Sequence, residues 1–298
     1  MSDADVRAPL AELRSGPSMP RLGLGTWNMS DAEAQAAVAQ ALEVGYRLID
    51  TAQMYGNEGG VGRGLRNGGV AREDVFVVTK LGADGHGEQE AQEAFARSAE
   101  RLGLDYVDLY LVHWPLPSHD RYVDAWRGLI ALREQGLVRA IGVSNFKADH
   151  IDRLVDETGV VPDVNQIQLN PHVTRDAARR HHAERGIVTQ AWSPLGGGVH
   201  ELLAGQQDGG QARAGVLDEP VIVEIAREHG RTPAQVVLRW HLDLGLSVVM
   251  KSTNAQRMAS NLESVELALT PQQRDAITAL DHGESAAADS DDPKVGWG

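Results

Sequence analysis

Short runs of Val, Ile and Leu recur along the chain. Each is followed by a longer stretch in which apolar residues return every third or fourth position. The runs fall at residues 22–24, 46–50, 75–80, 107–113, 140–143, 164–169, 187–192 and 247–251. Runs this short, apolar on both faces, predict buried parallel strands. The segments 31–44, 88–102, 123–135, 148–157 and 175–185 keep their charges off the apolar stripe, as helices packed on a sheet do. Eight such units across 298 residues predict an α/β fold closed into a (β/α)8 TIM barrel. An open doubly wound sheet is the competitor, and it requires a Gly-rich fingerprint after its first strand. Gly23-Leu24-Gly25 supplies only the first half of one, and Gly60, Gly62 and Gly64 miss the spacing.

The pattern breaks in a few places. Residues 196–215 are rich in Gly, Gln and Ala and read as a long mobile loop after the seventh strand, a lid or cofactor clamp on the C-terminal face. Two helical segments, 219–229 and 233–244, precede the eighth strand, so one helix is extra to a minimal barrel. Residues 1–18 read as an N-terminal extension, and residues 281–298 as an acidic loop or tail ending in Val295-Gly296-Trp297-Gly298. No linker divides the chain, so residues 1–298 are expected to form a single barrel domain.

Composition narrows the chemistry. Lys and Arg total 28 against 42 Asp and Glu, a net charge of −14, which excludes a general phosphate-backbone surface and makes nucleic acid an unexpected partner. Any anionic ligand must be held at a local basic site. The chain has no cysteine, which excludes disulfides, a thiol nucleophile and thiolate metal sites. Residues 1–14 lack an apolar h-region, and no stretch approaches the ~18 apolar residues of a membrane span. A cytoplasmic protein without a membrane partner is the expectation.

In a barrel, chemistry sits at the C-terminal ends of the strands. Asp50, Lys80 and His113 each close a predicted strand, and Tyr55 follows Asp50 by five residues. Taken singly, each has a plain structural reading: a strand-end Asp caps a helix, a Lys snorkels to solvent, a His satisfies a core. Their convergence from adjacent strands favours function. A phenol near a Lys ammonium, with an Asp to keep that Lys charged and a His to orient a carbonyl oxygen, suits proton donation to a forming alkoxide. The Lys is expected to lower the Tyr pKa from its ordinary ~10. At the other end of the chain, Lys251, the hydroxyls of Ser252 and Thr253, Asn254 and Arg257 bring cations, hydroxyls and a helix N-terminus together as an anion site.

Several of these stretches resemble the aldo-keto reductase family. Gly45-Tyr46-Arg47-Leu48-Ile49-Asp50-Thr51-Ala52 with Tyr55-Gly56-Asn57-Glu58 is similar to its first signature. Val77-Val78-Thr79-Lys80 resembles its lysine strand, and Asp108-Leu109-Tyr110-Leu111-Val112-His113-Trp114-Pro115 its histidine strand. Ile141-Gly142-Val143-Ser144-Asn145-Phe146 and Asn165-Gln166-Ile167-Gln168-Leu169-Asn170-Pro171 resemble strands five and six. The likeness runs in order from about residue 19 to about residue 281, and is nearest to the prokaryotic branch of diketogluconate reductase-like and aldehyde reductases. It implies a catalytic tetrad of Asp50, Tyr55, Lys80 and His113 and a NADPH/NADP+ cofactor. The nicotinamide would stack on Trp192, with its carboxamide held by Ser144, Asn145 and Gln166. Gly25 and Thr26 would also line the cofactor, and Ser193 and Leu195 the pyrophosphate path. Lys251, Ser252, Thr253, Asn254 and Arg257 would grip the 2′-phosphate, and Asn261 would face adenine. Trp27 and Trp114 would wall the pocket for a small carbonyl substrate, no metal is implied, and a monomer is the default.

The chain departs from the family pattern at Met250 in place of Pro, at Ser260 in place of Glu, and at Leu81-Gly82-Ala83 in place of a walling aromatic. The last departure predicts a wider pocket. Competing readings are a cofactor-sensing barrel with little turnover, a Ser hydrolase and a metal hydrolase. Gly142-Val143-Ser144-Asn145-Phe146 lacks the final Gly of a nucleophile elbow. His181 and His182 are adjacent and would point to different sides of a helix.

Overall fold

The computed structural model describes residues 8–196 and 215–292. A short antiparallel hairpin, β1 (Leu10–Glu12) with β2 (Ser18–Pro20), leads into the barrel. Eight parallel strands follow: β3 (Leu22–Gly25), β4 (Leu48–Asp50), β5 (Phe76–Leu81), β6 (Val107–Val112), β7 (Val138–Ser144), β8 (Val164–Gln168), β9 (Val188–Trp192) and β10 (Ser247–Met250). They form a closed barrel in which β10 pairs with both β9 and β3. The strands start and stop within one residue of the apolar runs, apart from the start of β4 at Leu48, two residues late, and that of β7 at Val138, two residues early.

Strand side chains alternate between two cores. Leu48, Phe76, Val78, Leu109, Leu111, Ala140, Val164 and Val249 fill the barrel interior together with Leu13 and Met19 of the hairpin region. Their neighbours Ile49, Val77, Tyr110, Ile141 and Ile167 face the helices. The hairpin region is therefore a plug: its Leu13 and Met19 supply interior apolar side chains where the strands begin. No alternation marks it in sequence, because its strands are three residues long.

The helices are α1 (Asp31–Glu43), α2 (Glu58–Asn67), α3 (Glu88–Leu102), α4 (Tyr122–Glu134), α5 (Ala148–Thr158), α6 (Asp176–Arg185), α7 (Pro220–His229), α8 (Pro233–Asp243), α9 (Ala255–Leu262) and α10 (Pro271–Thr278). The extra helix before the last strand is present as α7 and α8. The expected loop at 196–215 lies outside the described residues except at its two ends, as does the Val295-Gly296-Trp297-Gly298 terminus. Among the described residues no helix is long and apolar enough to cross a membrane.

Helix α2 is absent from the sequence pattern because its Gly content argues against a helix. Tertiary contact overrides propensity here. A Cβ at Gly60 would collide with the Asp31 carbonyl oxygen, and one at Gly62 with that of Leu102. Gly lets α2 lie directly against α1 and the end of α3. His181 and His182 diverge as their adjacency requires: His181 bonds Asp152 at 2.8 Å, while buried His182 lies 2.9 Å from Asn165 Nδ2 and 2.8 Å from Thr189 Oγ1.

Candidate active site

The inward phase of the strands delivers the polar residues to one end of the barrel. Asp50 is two residues beyond Leu48 and Lys80 two beyond Val78, so both point inside; His113 stands one residue past β6, two beyond Leu111. Tyr55 ends a 3-10 turn, Gln53–Tyr55, that closes at Gly56 with φ 66, a left-handed value that Gly adopts without steric cost. This turn swings the chain from β4 over the barrel mouth and into α2.

Lys80 is fully buried, and its Nζ donates to Asp50 Oδ1 at 2.6 Å and to the Thr51 carbonyl at 2.9 Å. The ammonium lies 5.2 Å from the centroid of the Tyr55 ring, and that ring meets His113 edge-on at 5.7 Å. The four expected residues thus share one site. Their protonation states follow from burial. The Tyr55 hydroxyl is held well above the ordinary tyrosine value by burial and by the Asp50 carboxylate. The expected lowering by Lys80 does not prevail, because burial of the phenol, and after it the Asp50 carboxylate, outweigh it. Burial and the Lys80 charge hold His113 well below the usual histidine value. Its Nδ1 is buried without a hydrogen-bond partner. The site therefore presents a protonated phenol beside a neutral imidazole, both suited to an oxygen that gains negative charge.

A buried amide network stands beside the ion pair. Gln166 Nε2 donates to Asp50 Oδ2 at 2.8 Å and to Gln190 Oε1 at 2.6 Å. Gln190 Nε2 in turn donates to Ser247 Oγ at 3.0 Å. Both Gln166 bonds use its nitrogen, which leaves Oε1 to accept from a ligand amide. Asn145 takes a left-handed backbone, φ 64, tolerated by Asn. Its N–H donates to the Gln166 carbonyl at 2.9 Å, its Nδ2 to the His113 carbonyl at 3.1 Å, and its Oδ1 accepts from Trp192 Nε1 at 2.8 Å. The Trp192 ring is thereby fixed at the end of β9. Ser144 Oγ donates to the Gln166 carbonyl at 2.9 Å and so braces the neighbouring strand instead of capping α5.

Other expected contacts separate into two kinds. Gly25 ends β3 beside Asp50, and buried Thr26 donates its hydroxyl to the Asp50 carbonyl at 3.1 Å, a supporting bond. Ser193, φ 48, accepts at its carbonyl from Gly196, and Leu195 packs toward the outer core. Past β10, Lys251, Thr253, Asn254 and Arg257 are exposed, and Lys251 Nζ donates to the Asn28 carbonyl at 3.1 Å. Asn254 caps α9 by accepting from Arg257 N at 2.9 Å, and Ser252 Oγ accepts from Asn254 N at 3.3 Å. Asn261 is buried against the Tyr46 hydroxyl. Trp114 stacks on His113 at 6.4 Å, and Trp27 is 37% exposed at the rim.

This donor set suits a phosphorylated dinucleotide. Two exposed cations and a helix N-terminus stand at one end, and a fixed indole with a free amide oxygen at the other. The profile of the aldo/keto reductase family matches residues 21–282. The chain belongs to the aldo/keto reductase family. Methylglyoxal reductase DkgA of Yersinia pestis is 46% identical over 281 residues, covering 94% of this chain and 96% of that protein. The crystal structure of an aldo/keto reductase from Brucella melitensis is 42% identical at TM-score 0.84, covering 92% of this chain and 98% of that one. A Bombyx mori aldo-keto reductase in complex with NADP is 37% identical at TM-score 0.83, covering 92% and 93%. This aldo/keto reductase is accordingly an oxidoreductase acting on carbonyl groups.

Sequence reasoning gave no role to two side chains that this reductase places in the site's frame. Gln190 stands in the inward phase of β9, two residues before Trp192; a polar residue between two interior positions was the available signal. Asn57 is fully buried, donates to the Thr26 and Met29 carbonyls at 2.9 and 3.0 Å and accepts from Thr51 Oγ1 at 3.0 Å. It ties the loop after β3 to the loop after β4. Its signal lay in the Tyr55-Gly56-Asn57-Glu58 stretch.

Proposed function

We propose that the chain reduces small aldehydes and ketones with NADPH, and that Tyr55 donates the proton. The observation that carries this reading is the buried Lys80–Asp50 pair at 2.6 Å beneath the Tyr55 ring, with His113 at its edge. The dihydronicotinamide, when bound, supplies hydride to the carbonyl carbon. Trp192, Asn145 and Gln166 orient its ring and carboxamide. His113 positions the carbonyl oxygen, and the Tyr55 O–H bond breaks as the new O–H bond of the alcohol forms. Lys80 stabilises the phenolate left behind, which recovers its proton from solvent. Lys251 and Arg257 hold the 2′-phosphate.

The test is NADPH oxidation against a panel of aldehydes, diketones, keto-acids and aldoses, with NADH in parallel. Methylglyoxal is the first substrate to try, because the Yersinia pestis relative is a methylglyoxal reductase. Absence of carbonyl-dependent turnover would leave the cofactor-sensing reading in its place. Neutralising Lys251 and Arg257 together is expected to raise the Kd for NADPH by about 10-fold or more, with NADH little changed. Equal losses for both would place the 2′-phosphate elsewhere.

Position 82 sets pocket width. Gly82 has φ −74, open to any residue, and the nearest atom to an added Cβ is a movable Asp84 oxygen at 3.0 Å. Gly82→Trp is expected to cut kcat/KM for bulky ketones about 10-fold and spare methylglyoxal. Unchanged selectivity across the panel refutes the open-wall idea.

A further inference from the structure

Glu58 opens α2 three residues after Tyr55, and its side chain is fully buried. An ionised carboxylate is costly to bury unless both oxygens are paired. Here both are. Oε1 accepts from Thr79 Oγ1 at 2.6 Å, and Oε2 accepts from Arg101 Nε at 2.7 Å, with Arg101 Nη2 2.6 Å away. Thr79 and Lys80 are consecutive on β5, so their side chains leave opposite faces of the strand. Thr79 meets Glu58 outside the barrel while Lys80 meets Asp50 inside. Arg101, on α3, is 39% exposed and is steadied by Ser98 Oγ at 3.0 Å. A continuous polar path therefore runs from a surface guanidinium through Glu58 and Thr79 to the strand that carries Lys80.

We propose that Glu58 is a positioning residue for the reaction: braced behind β5 by Thr79 and Arg101, its fixed negative charge holds the Lys80 ammonium in its charged form beneath the Tyr55 phenol. This rests on the assignment of Tyr55 and Lys80 made above. Burial pushes the Lys80 ammonium below the ordinary lysine value, and Asp50 and then Glu58 oppose that shift. The groups around Lys80 are Asp50 from β4, Tyr55 from the turn after it, His113 from the end of β6 and Glu58 from α2. Glu58 itself faces Arg101 from α3 and Tyr110 from β6. Lys80 and Arg101 balance Asp50 and Glu58. Asp50 and Glu58 both oppose the cost of burying the Lys80 charge; removing Glu58 leaves Asp50 alone to do so, while the freed Arg101 keeps its contact with solvent, so the group that gives up its proton more readily is Lys80.

The experiment is the pH dependence of kcat for Glu58→Gln with NADPH and a saturating carbonyl, with Tyr55→Phe alongside. Loss of a negative charge makes Lys80 release its proton at lower pH, so the basic limb moves down. Turnover at about pH 9 relative to about pH 7 is expected to fall roughly 3- to 10-fold, carried by kcat and not KM. In the apo protein, the 15N signal of Lys80 Nζ moves its titration in the same direction. Arg101→Gln, whose shorter amide keeps a donor on the same helix face, leaves the Glu58 charge unneutralised and moves the limb the other way. A basic limb that coincides with the parent's in Glu58→Gln, or in Arg101→Gln should the first variant fail to fold, overturns the proposal and leaves Glu58 a brace. If Tyr55→Phe keeps its turnover, the proton-donor assignment has failed and this inference falls with it. If Tyr55→Phe is inactive and the limb stays put, only the role of Glu58 has failed.

Discussion

Tyr55→Phe is expected to lower carbonyl reduction by roughly 10²- to 10⁴-fold, the range that a lost general acid commands. The substitution removes one oxygen and keeps the ring that meets His113 edge-on at 5.7 Å. The fold and the cofactor contacts should survive, so the Kd for NADPH, read by fluorescence, should stay within about twofold. The effect belongs to kcat, because the proton moves only as the alkoxide forms. The raised pKa of the phenol leaves the basic limb of the pH profile to Lys80, whose own value burial lowers. Tyr55 is protonated throughout the neutral range, and reduction should fail only as the pH rises far enough to remove a proton from the site. A variant that keeps most of its turnover would show that another group, or water, supplies the proton.

Lys80→Met should injure stability as well as turnover. The Lys80 side chain is 0% and the Asp50 side chain 4% exposed, so the Asp50 carboxylate cannot recover its lost partner from solvent. Breaking a buried pair from one side costs about 3–5 kcal/mol. The double variant Asp50→Asn with Lys80→Met removes the stranded charge and is expected to regain a large part of that loss while staying inactive. Its Asn side chain can still accept from Gln166 Nε2, which bonds Asp50 Oδ2 at 2.8 Å in the parent. Urea unfolding of the two singles and the double closes the cycle. Single variants as stable as the parent would mean that water reaches the pair, and the low-dielectric reading of the site would be wrong.

Much of this site was legible because its chemistry follows a two-residue period. Asp50, Lys80 and His113 extend the same inward phase as Leu48, Val78 and Leu111, and the strands that carry them are apolar runs that nothing else resembles. The hairpin at Leu10–Glu12 and Ser18–Pro20 was not legible, since three residues give no periodicity to read. Helix α2 was hidden for the opposite reason: Gly60 and Gly62 weaken local helix preference so that two neighbouring backbones can approach. The direction of the Tyr55 pKa also lay beyond the sequence. It depends on how completely the folded chain buries the phenol, and that burial outweighs the pull of Lys80.

The closure of the barrel by β3 and β10 sets a condition on how the chain acquires its shape. The register Leu22↔Val248 joins the first strand of the barrel to be made to the last. Until β10 leaves the ribosome, β3 presents an unpaired edge, and so does whichever strand was completed last. Pairings this distant along the chain are slow to form, and open edges recruit other chains. The nascent protein is thus most vulnerable to aggregation during synthesis, and circular permutation does not remove that interval: a chain that began at β10 would wait for β9 to close the same ring.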